Sequence, residues 1–206
     1  MSPRTSPLKA LASAVAVAAT LTVAPAATTV AQAAPLRPVA APIVYDDGSS
    51  DLPIQAQAQQ QTNWCWAATG TTIAAYKGRS VSQNDFCNLA FRRSRGSSCP
   101  NDQATLADDQ TAFRALGITS GSYISGTLGF SGIQTEIKAD RPILTRIQWS
   151  SGGGHMMVIN GYDPNSGDIE WYNPWPSDQR INVGAYDYYV DNADFSWTHS
   201  LYRIGA

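Results

Sequence analysis

A cysteine between two tryptophans is the feature of this sequence that most clearly could carry chemistry. Cys65 stands between Trp64 and Trp66, and the small residues that follow predict a helix over 66–77. A thiol in the first turn of a helix meets free backbone amides and the helix dipole, which favour the thiolate. Such a sulfur can attack a carbonyl carbon, so the setting indicates a nucleophile.

The other two cysteines bear on whether that thiol is free. Cys87 and Cys99 flank a polar loop rich in arginine and serine. A disulfide across this loop would stabilise the fold by roughly 3 kcal/mol on chain-entropy grounds. Cys65 would then be unpaired in a protein that we expect to be exported. The alternative is that Cys65 pairs with one of the other two.

A cysteine nucleophile needs a base, and the chain has only two histidines. His155 follows three glycines and opens an apolar run, which predicts the start of a buried strand beside a site open to a substrate backbone. His199 lies in the predicted last strand. Histidine is the usual base for a catalytic cysteine, and we predict His155 in that role, with His199 as a surface residue.

A base needs a residue that orients it. The strand after His155, a turn and a second strand predict a hairpin whose far end, Asn173, returns beside the imidazole. The Asn173 carbonyl could accept a hydrogen bond and select the tautomer, while Trp175 screens that bond from water. Asp163 is the competing candidate, but in Asp-Pro-Asn-Ser-Gly it is typical of a turn.

An oxyanion site completes the set. The backbone amide of Cys65 could donate one hydrogen bond. A glutamine side chain just upstream could donate the second, and the residues alone leave Gln59, Gln60 and Gln61 open.

Together these residues resemble a known family. Gln59 six residues before Cys65, Trp66 directly after it, a glycine-rich approach to His155 and an Asn173-Pro-Trp string are similar to papain-like cysteine peptidases. The nearest resemblance is to the bacterial AvrRpt2-type and C39-like branch, over about residues 57–206. It implies that Gln59 is the oxyanion glutamine.

The resemblance implies a fold and an activity. The fold is α+β and two-lobed, with an N-terminal helical lobe, a C-terminal antiparallel β-sheet lobe and a cleft between them. The activity is hydrolysis of peptide bonds through a thioester, with no cofactor and no metal. The alternatives with the same residues are acyl transfer and cleavage of peptidoglycan stems, and a different class is a non-catalytic secreted binding module.

The sequence departs from the family pattern at several points. Asn63 and Trp64 stand where papain-type signatures have glycine and a further cysteine. Asn173 stands where many members of the bacterial branch have aspartate. These differences concern the shape of the substrate pocket more than the type of reaction.

The order of predicted elements agrees with this fold class. Ser82 and Asp85 resemble a capping pair that opens a helix to about Phe91, and Gly70 predicts close packing of the first helix on another element. Helices over 102–116 and 133–139 follow. From Pro142 onward the pattern predicts strands over 142–149, 155–162, 168–173, 186–190 and 198–204. Helices followed by strands are typical of α+β proteins.

The N-terminal segment has the features of a secretory signal peptide over 1–33: two basic residues, an apolar stretch over 10–26 and a small-x-small site at Ala31-Gln32-Ala33. The alternative is a retained N-terminal anchor. Residues 34–58, rich in Ala, Pro and Gln, predict a flexible arm or a short pro-segment. We expect one domain over 59–206.

Charge excludes one class of partner. Cleavage of the signal removes two basic residues and no acid, which changes the net charge from −2 to −4. With no basic stripe, nucleic acid is not an expected partner. We expect a secreted protein, free of the membrane after signal cleavage, whose partner is a protein or peptide substrate; the sequence leaves its oligomeric state open.

Overall fold

The structure is a computed structural model that describes residues 40–205. The predicted signal peptide over 1–33, and the first residues of the predicted arm, lie outside the described residues. Within 40–205 the elements in chain order are β1 Ile43–Val44, β2 Ser50–Asp51, α1 Cys65–Tyr76, α2 Gln83–Ala90, α3 Leu106–Ala115, β3 Ser120–Ser125, α4 Phe130–Lys138, β4 Ile143–Trp149, β5 Gly154–Asp163, β6 Asp168–Tyr172, β7 Ile181–Ala185, α5 Tyr186–Val190 and β8 Phe195–Ile204.

The strands form one antiparallel sheet in the order β1-β2-β5-β4-β8-β3, with β6 paired to β5 and β7 paired to β6. The central strands β4 and β5 are apolar over most of their length; β5 is almost entirely buried, and β4 is buried or partly buried at every residue. A strand buried on both faces has an apolar run instead of alternation, which explains why both strands were evident from the sequence.

Helix α1 lies at the centre of the helical part. It contacts α2, α3 and β5, and nearly all of its residues are buried. A Cβ atom at Gly70 would lie 2.2 Å from Cζ of Phe86 in α2 and 3.1 Å from Oδ1 of Asp109 in α3. The prediction that this glycine marks close packing is confirmed, and both neighbours belong to helices.

The helix starts depend on local caps. Ser82 accepts a 3.0 Å hydrogen bond from the Asp85 amide and opens α2, as predicted. Thr105 and Asp108 form a reciprocal capping box, so α3 begins at Leu106 instead of residue 102. The N-cap of α1 is Trp64, which has no side-chain cap.

The secondary structure of one segment in the C-terminal half differs from the strand that the sequence predicted. Residues 186–190 form the short helix α5 instead of a strand, because the ring of Tyr189 is fully buried. Its hydroxyl lies 2.6 Å from Oγ1 of Thr145, and its ring centroid lies 4.9 Å from that of Trp171. The tyrosine-rich sequence has high strand propensity, but this tertiary packing decides the local structure. Strands β3 and β7 were not anticipated.

Residues 34–58 were expected to form a flexible arm or a short pro-segment, and the described part of this segment packs against the sheet. Strand β2 pairs with β5, and the Leu52 amide donates a 2.8 Å bond to the Asn160 carbonyl. Leu52 and Ile54 belong to the core. Two large apolar side chains and backbone pairing offset the ordering cost that the Ala/Gln-rich composition had suggested was too high.

The architecture is α+β, as predicted: a helical part built from α1, α2 and α3 is followed by a large antiparallel sheet. Within residues 40–205, the structure has no helix both long and apolar enough to cross a membrane.

Candidate active site

Cys65 and His155 line one cavity of about 260 Å³ between the start of α1 and the sheet. Cys65 is the first residue of α1, and His155 is the second residue of β5. The full lining is Thr62, Asn63, Cys65, Gln103, Trp149, Gly154, His155, Trp175 and Asp178. The fold therefore brings the predicted nucleophile and the predicted base to the same site.

The two tryptophans beside Cys65 fix the start of α1. The indole nitrogen of Trp64 donates to the Pro100 carbonyl, and that of Trp66 donates to the Asp102 carbonyl, both at 3.0 Å. Both rings are buried. A buried indole N–H needs an acceptor, so each ring ties the chain on one side of Cys65 to the segment 100–102.

The segment 100–102 is itself held by the disulfide between Cys87 and Cys99. This pairing was predicted, and it leaves Cys65 as the free cysteine among the described residues. The alternative, a disulfide made by Cys65, is wrong. Asn63 adds to this anchoring, because its backbone amide donates a 2.9 Å bond to Oδ1 of Asn101 and its side-chain amide donates a 2.8 Å bond to the Asn101 carbonyl.

His155 is buried between two tryptophans. Trp149 stacks on the imidazole at 5.9 Å between centroids and 26° between planes, and Trp175 meets it edge-on at 6.1 Å and 78°. The His155 Nε2 atom lies 2.8 Å from Oδ1 of Asn173. The rings therefore leave the remaining nitrogen, Nδ1, as the polar atom available to the cavity.

The hydrogen bonds of Asn173 define the tautomer of His155. Asn173 Nδ2 donates to Oδ2 of Asp178 at 3.1 Å, and Asn173 Oδ1 also accepts from the Trp175 amide at 2.9 Å. Because a carboxylate can only accept, the amide nitrogen must face Asp178 and the carbonyl oxygen must face His155. Nε2 then carries the proton, and Nδ1 of the neutral ring is an acceptor.

Burial opposes charge on both reacting groups. Burial raises the pKa of the Cys65 thiol, against the amides of Met156 and Trp66, which lower it. Burial also lowers the pKa of His155, while the Asn173 bond and the Asp178 carboxylate raise it. The two burial effects favour a neutral thiol beside a neutral imidazole, so the thiolate expected from the helix terminus is opposed by desolvation.

Gln59 is buried next to the site but does not line the 260 Å³ cavity. Its Nε2 donates to the carbonyls of Gln61 and Thr62, both at 2.9 Å, and its Oε1 is buried with no partner among the described residues. Both amide hydrogens thus support the turn before Cys65. A role as oxyanion donor stays a prediction and requires one of these bonds to be exchanged.

The competing candidates lie elsewhere. His199 is half-buried on β8 and stacks on Tyr123. Asp163 accepts hydrogen bonds from the Asn165 amide and the Ser166 hydroxyl, as expected of a turn residue.

Sequence reasoning missed several residues of the site. Trp149 was not anticipated at the site, and it stacks on His155, whereas Trp66, next to the nucleophile, is 1% exposed. Asp178 and Gln103 were not anticipated. The sequence signal that could have identified Trp149 was its place at the end of the strand before β5, with which that strand pairs.

Within residues 40–205, no group of three or more His, Cys, Asp and Glu side chains is placed to hold a metal ion.

Solved structures of other proteins share the fold of this chain. The peptidase domain of Streptococcus ComA, a bifunctional ABC transporter involved in a quorum-sensing pathway, is similar at a TM-score of 0.53 and 14% identity, covering 72% of this chain and 97% of that domain. At this identity the likeness shows the fold. Xylellain, a cysteine protease from Xylella fastidiosa, aligns at a TM-score of 0.46 and 12% identity over 74% of this chain and 85% of its own, too low a score to carry an argument.

A comparison with curated proteins found no match to this chain. The model of the family described as papain-like cysteine protease AvrRpt2 matches residues 47–194, which include Cys65, His155 and Asn173. This match spans well over half of the sequence, so the chain belongs to the AvrRpt2 family of papain-like cysteine proteases and is a papain-like cysteine peptidase.

Proposed function

We propose that this peptidase hydrolyses peptide bonds through a triad of Cys65, His155 and Asn173. The observation that carries the proposal is the 2.8 Å contact between His155 Nε2 and Asn173 Oδ1, which leaves Nδ1 as an acceptor in the cavity that Cys65 also lines. This division of roles is that of a nucleophile, a base and a residue that orients the base.

The reaction proceeds in two halves. His155 Nδ1 takes the proton of Cys65 as Sγ attacks the peptide carbonyl carbon. The tetrahedral intermediate collapses to a thioester, and His155 gives its proton to the departing amine. In the second half, His155 takes a proton from water, and the hydroxide attacks the thioester. The acid product leaves, and the proton returns to the sulfur.

The negative charge on the carbonyl oxygen needs donors in both halves. We assign the backbone amide of Cys65 and the side-chain amide of Gln59. Gln59 would donate after it exchanges its bond to the Gln61 or Thr62 carbonyl for the substrate oxygen. The neutral state favoured by burial suits His155 as a general base, because the protonated ring could not accept the proton of Cys65.

We also propose that the protein acts outside the cell. The segment 1–33 has the composition of a signal peptide, and disulfides such as Cys87–Cys99 persist mainly in oxidising compartments. N-terminal sequencing of the protein recovered from the culture medium should find Ala34 as the first residue. Recovery only inside the cell, with residue 1 retained, would contradict export.

The proposed chemistry is tested by labelling the chain from Ala34 onward with an epoxysuccinyl thiol-directed peptidase inhibitor. Mass spectrometry should find one adduct, on Cys65, and denatured protein should not form it. The variant His155→Ala should lose the adduct as well, because the base is missing. Equal labelling before and after denaturation would show an ordinary thiol and would overturn the proposed triad.

A further inference from the structure

A second, smaller cavity of about 50 Å³ adjoins the same reacting pair. It shares Asn63, Cys65, Gln103, Gly154 and His155 with the larger cavity. From these residues it extends toward Arg146 and Met156, whereas the larger cavity extends toward Trp149, Trp175 and Asp178. A substrate segment at Cys65 therefore meets two different surroundings.

The small cavity carries one charged side chain, the guanidinium of Arg146. Its terminal nitrogens donate to Oγ1 of Thr198 and to Oε1 of Gln148, both at 3.0 Å. Both acceptors are neutral, and no ion pair of Arg146 with an acid occurs among the described residues. A guanidinium has five N–H donors, so this half-buried cation retains donors and charge for a further partner.

The residue before the base makes room for this cation. A Cβ atom at Gly154 would lie 2.6 Å from a terminal nitrogen of Arg146 and 2.8 Å from its Cζ. Glycine at this position lets the guanidinium lie against the backbone next to His155. The charge of Arg146 is thus held within the substrate cleft.

The neighbouring groups do not neutralise Arg146. The lining of the small cavity contains no aspartate or glutamate. His199 lies opposite Arg146 in the β4–β8 register, and both burial and the charge of Arg146 lower the pKa of His199. The larger cavity, in contrast, contains the Asp178 carboxylate. The two ends of the site therefore differ in charge.

We infer that the Arg146 cavity is a subsite for an acidic side chain, so that the substrates are peptides with aspartate or glutamate near the cleaved bond. This inference rests on the proposed function. A carboxylate can bind a guanidinium through two parallel hydrogen bonds, which gives geometric as well as electrostatic selectivity. The small volume suits a carboxyl group better than an aromatic ring.

Pairs of fluorogenic peptides test the inference. The two members differ at one position, aspartate against asparagine or glutamate against glutamine, and the position is moved along the peptide on both sides of the cleaved bond. Both ends are blocked, so the side chain is the only carboxylate. The expected result is a preference of at least about tenfold in kcat/KM for the acid at one position.

Variants assign the preference to Arg146. Arg146→Gln should bring the acid-to-amide ratio close to one, and this ratio is the readout because the acid and amide peptides are cut by the same variant. Arg146→Lys should keep part of the preference because it keeps the charge. Arg114→Gln is the matched control, since Arg114 is an exposed arginine on α3. Its acid-to-amide ratio should equal that of the unmodified protein.

Two outcomes would overturn the inference: equal cleavage of acid and amide peptides at every position, or a preference that persists in Arg146→Gln. The same acid-to-amide ratio can be measured without turnover. Peptidyl electrophiles that carry the aspartate or the asparagine label Cys65, and the ratio of their labelling rates gives the preference. If Arg146→Gln does not fold, Arg146→Lys tests the inference instead. A reduced acid-to-amide ratio in Arg146→Lys would support the subsite, and an unchanged ratio would overturn it. Failure of the proposed function is distinguishable, because Cys65 would then react with none of the electrophiles.

Discussion

Asp178 acts on His155 through Asn173 and through its own charge. Asp178 holds the amide nitrogen of Asn173, and this contact turns the Asn173 oxygen toward Nε2 of His155. The Asp178 carboxylate also raises the pKa of His155 against the larger effect of burial, which lowers it. Asp178 is therefore a positioning residue that acts on His155 through Asn173.

Asp178→Asn should shift the pH dependence of the reaction. Without the carboxylate the pKa of His155 falls further below its ordinary value, so the acid limb of kcat/KM should move to lower pH. The plateau should fall by roughly tenfold, because an interaction of about 1–2 kcal/mol that orients the base is lost. A pH profile measures both effects, and Asp163→Asn, in an exposed turn, is the control. An acid limb that moved to higher pH would contradict the assignment.

Gln59→Ala tests the oxyanion assignment. Loss of one donor should lower kcat by about 10²–10³-fold and leave a weakened enzyme. Gln60→Ala serves as a matched control in the same glutamine run. Alkylation of Cys65 by iodoacetamide forms no oxyanion, so its rate should be unchanged in Gln59→Ala. A fully active Gln59→Ala enzyme would transfer the role to Gln60 or Gln61, and slower alkylation would indicate that Gln59 only supports the turn.

The helices show how one element positions another. Phe86 of α2 occupies the space that a side chain at Gly70 of α1 would need. Gly70→Ala should therefore destabilise the protein by about 1–3 kcal/mol, because overpacking outweighs the gain in helix propensity. Gly132→Ala in α4 is the matched control, since its Cβ would meet Leu128 at an ordinary 3.6 Å.

Urea denaturation of the two variants measures this difference. Gly132→Ala should equal or exceed the stability of the unmodified protein by up to about 1 kcal/mol. An equally stable Gly70→Ala variant would show that Phe86 can move aside without cost.

The disulfide acts on the active site through the segment that follows it. Pro100 and Asp102 accept the indole hydrogen bonds on both sides of Cys65. Replacing both Cys87 and Cys99 by alanine should lower stability by roughly 3 kcal/mol and should also lower kcat, because the segment 100–102 is less constrained. Steady-state kinetics at a temperature where the variant remains folded separates the two effects. Unchanged kcat there would show that the disulfide serves stability alone.

At the scale of the whole molecule, core contacts extend to residues before Gln59, where we expected the domain to begin. The core includes Leu52 and Ile54, and the Tyr172 hydroxyl donates a 2.7 Å bond to the Ile54 carbonyl. A chain that begins at Gln59 should therefore melt at a lower temperature than one that begins at Ala40. Each lost apolar side chain contributes about 1.5–3 kcal/mol.

Thermal melts of these two chains, with Leu52→Ala in the longer one, test the boundary. The single substitution should cost about 2–5 kcal/mol. Equal melting temperatures for the chains from Ala40 and Gln59 would show that the segment before residue 59 does not contribute to stability.

The parts of the site that were predictable from the sequence depend on local chemistry. The small residues after Cys65 predicted a helix from Trp66, within one residue of the start of α1. The disulfide follows from two cysteines around a polar loop. Asn173 reaches His155 because a hairpin of two strands returns the chain to its starting edge. Each of these features depends on residues close together in the chain, so composition and spacing are sufficient to indicate it.

Only the tertiary structure decided the contacts between distant segments. The stacking of Trp149 on His155 depends on the register of β4 and β5, and the place of Arg146 depends on the registers with both β5 and β8. Asp178 reaches Asn173 through the shape of a loop, and α5 is helical because the sheet buries Tyr189. Side-chain burial and strand register arise from packing of the whole chain, and local propensity does not contain that information.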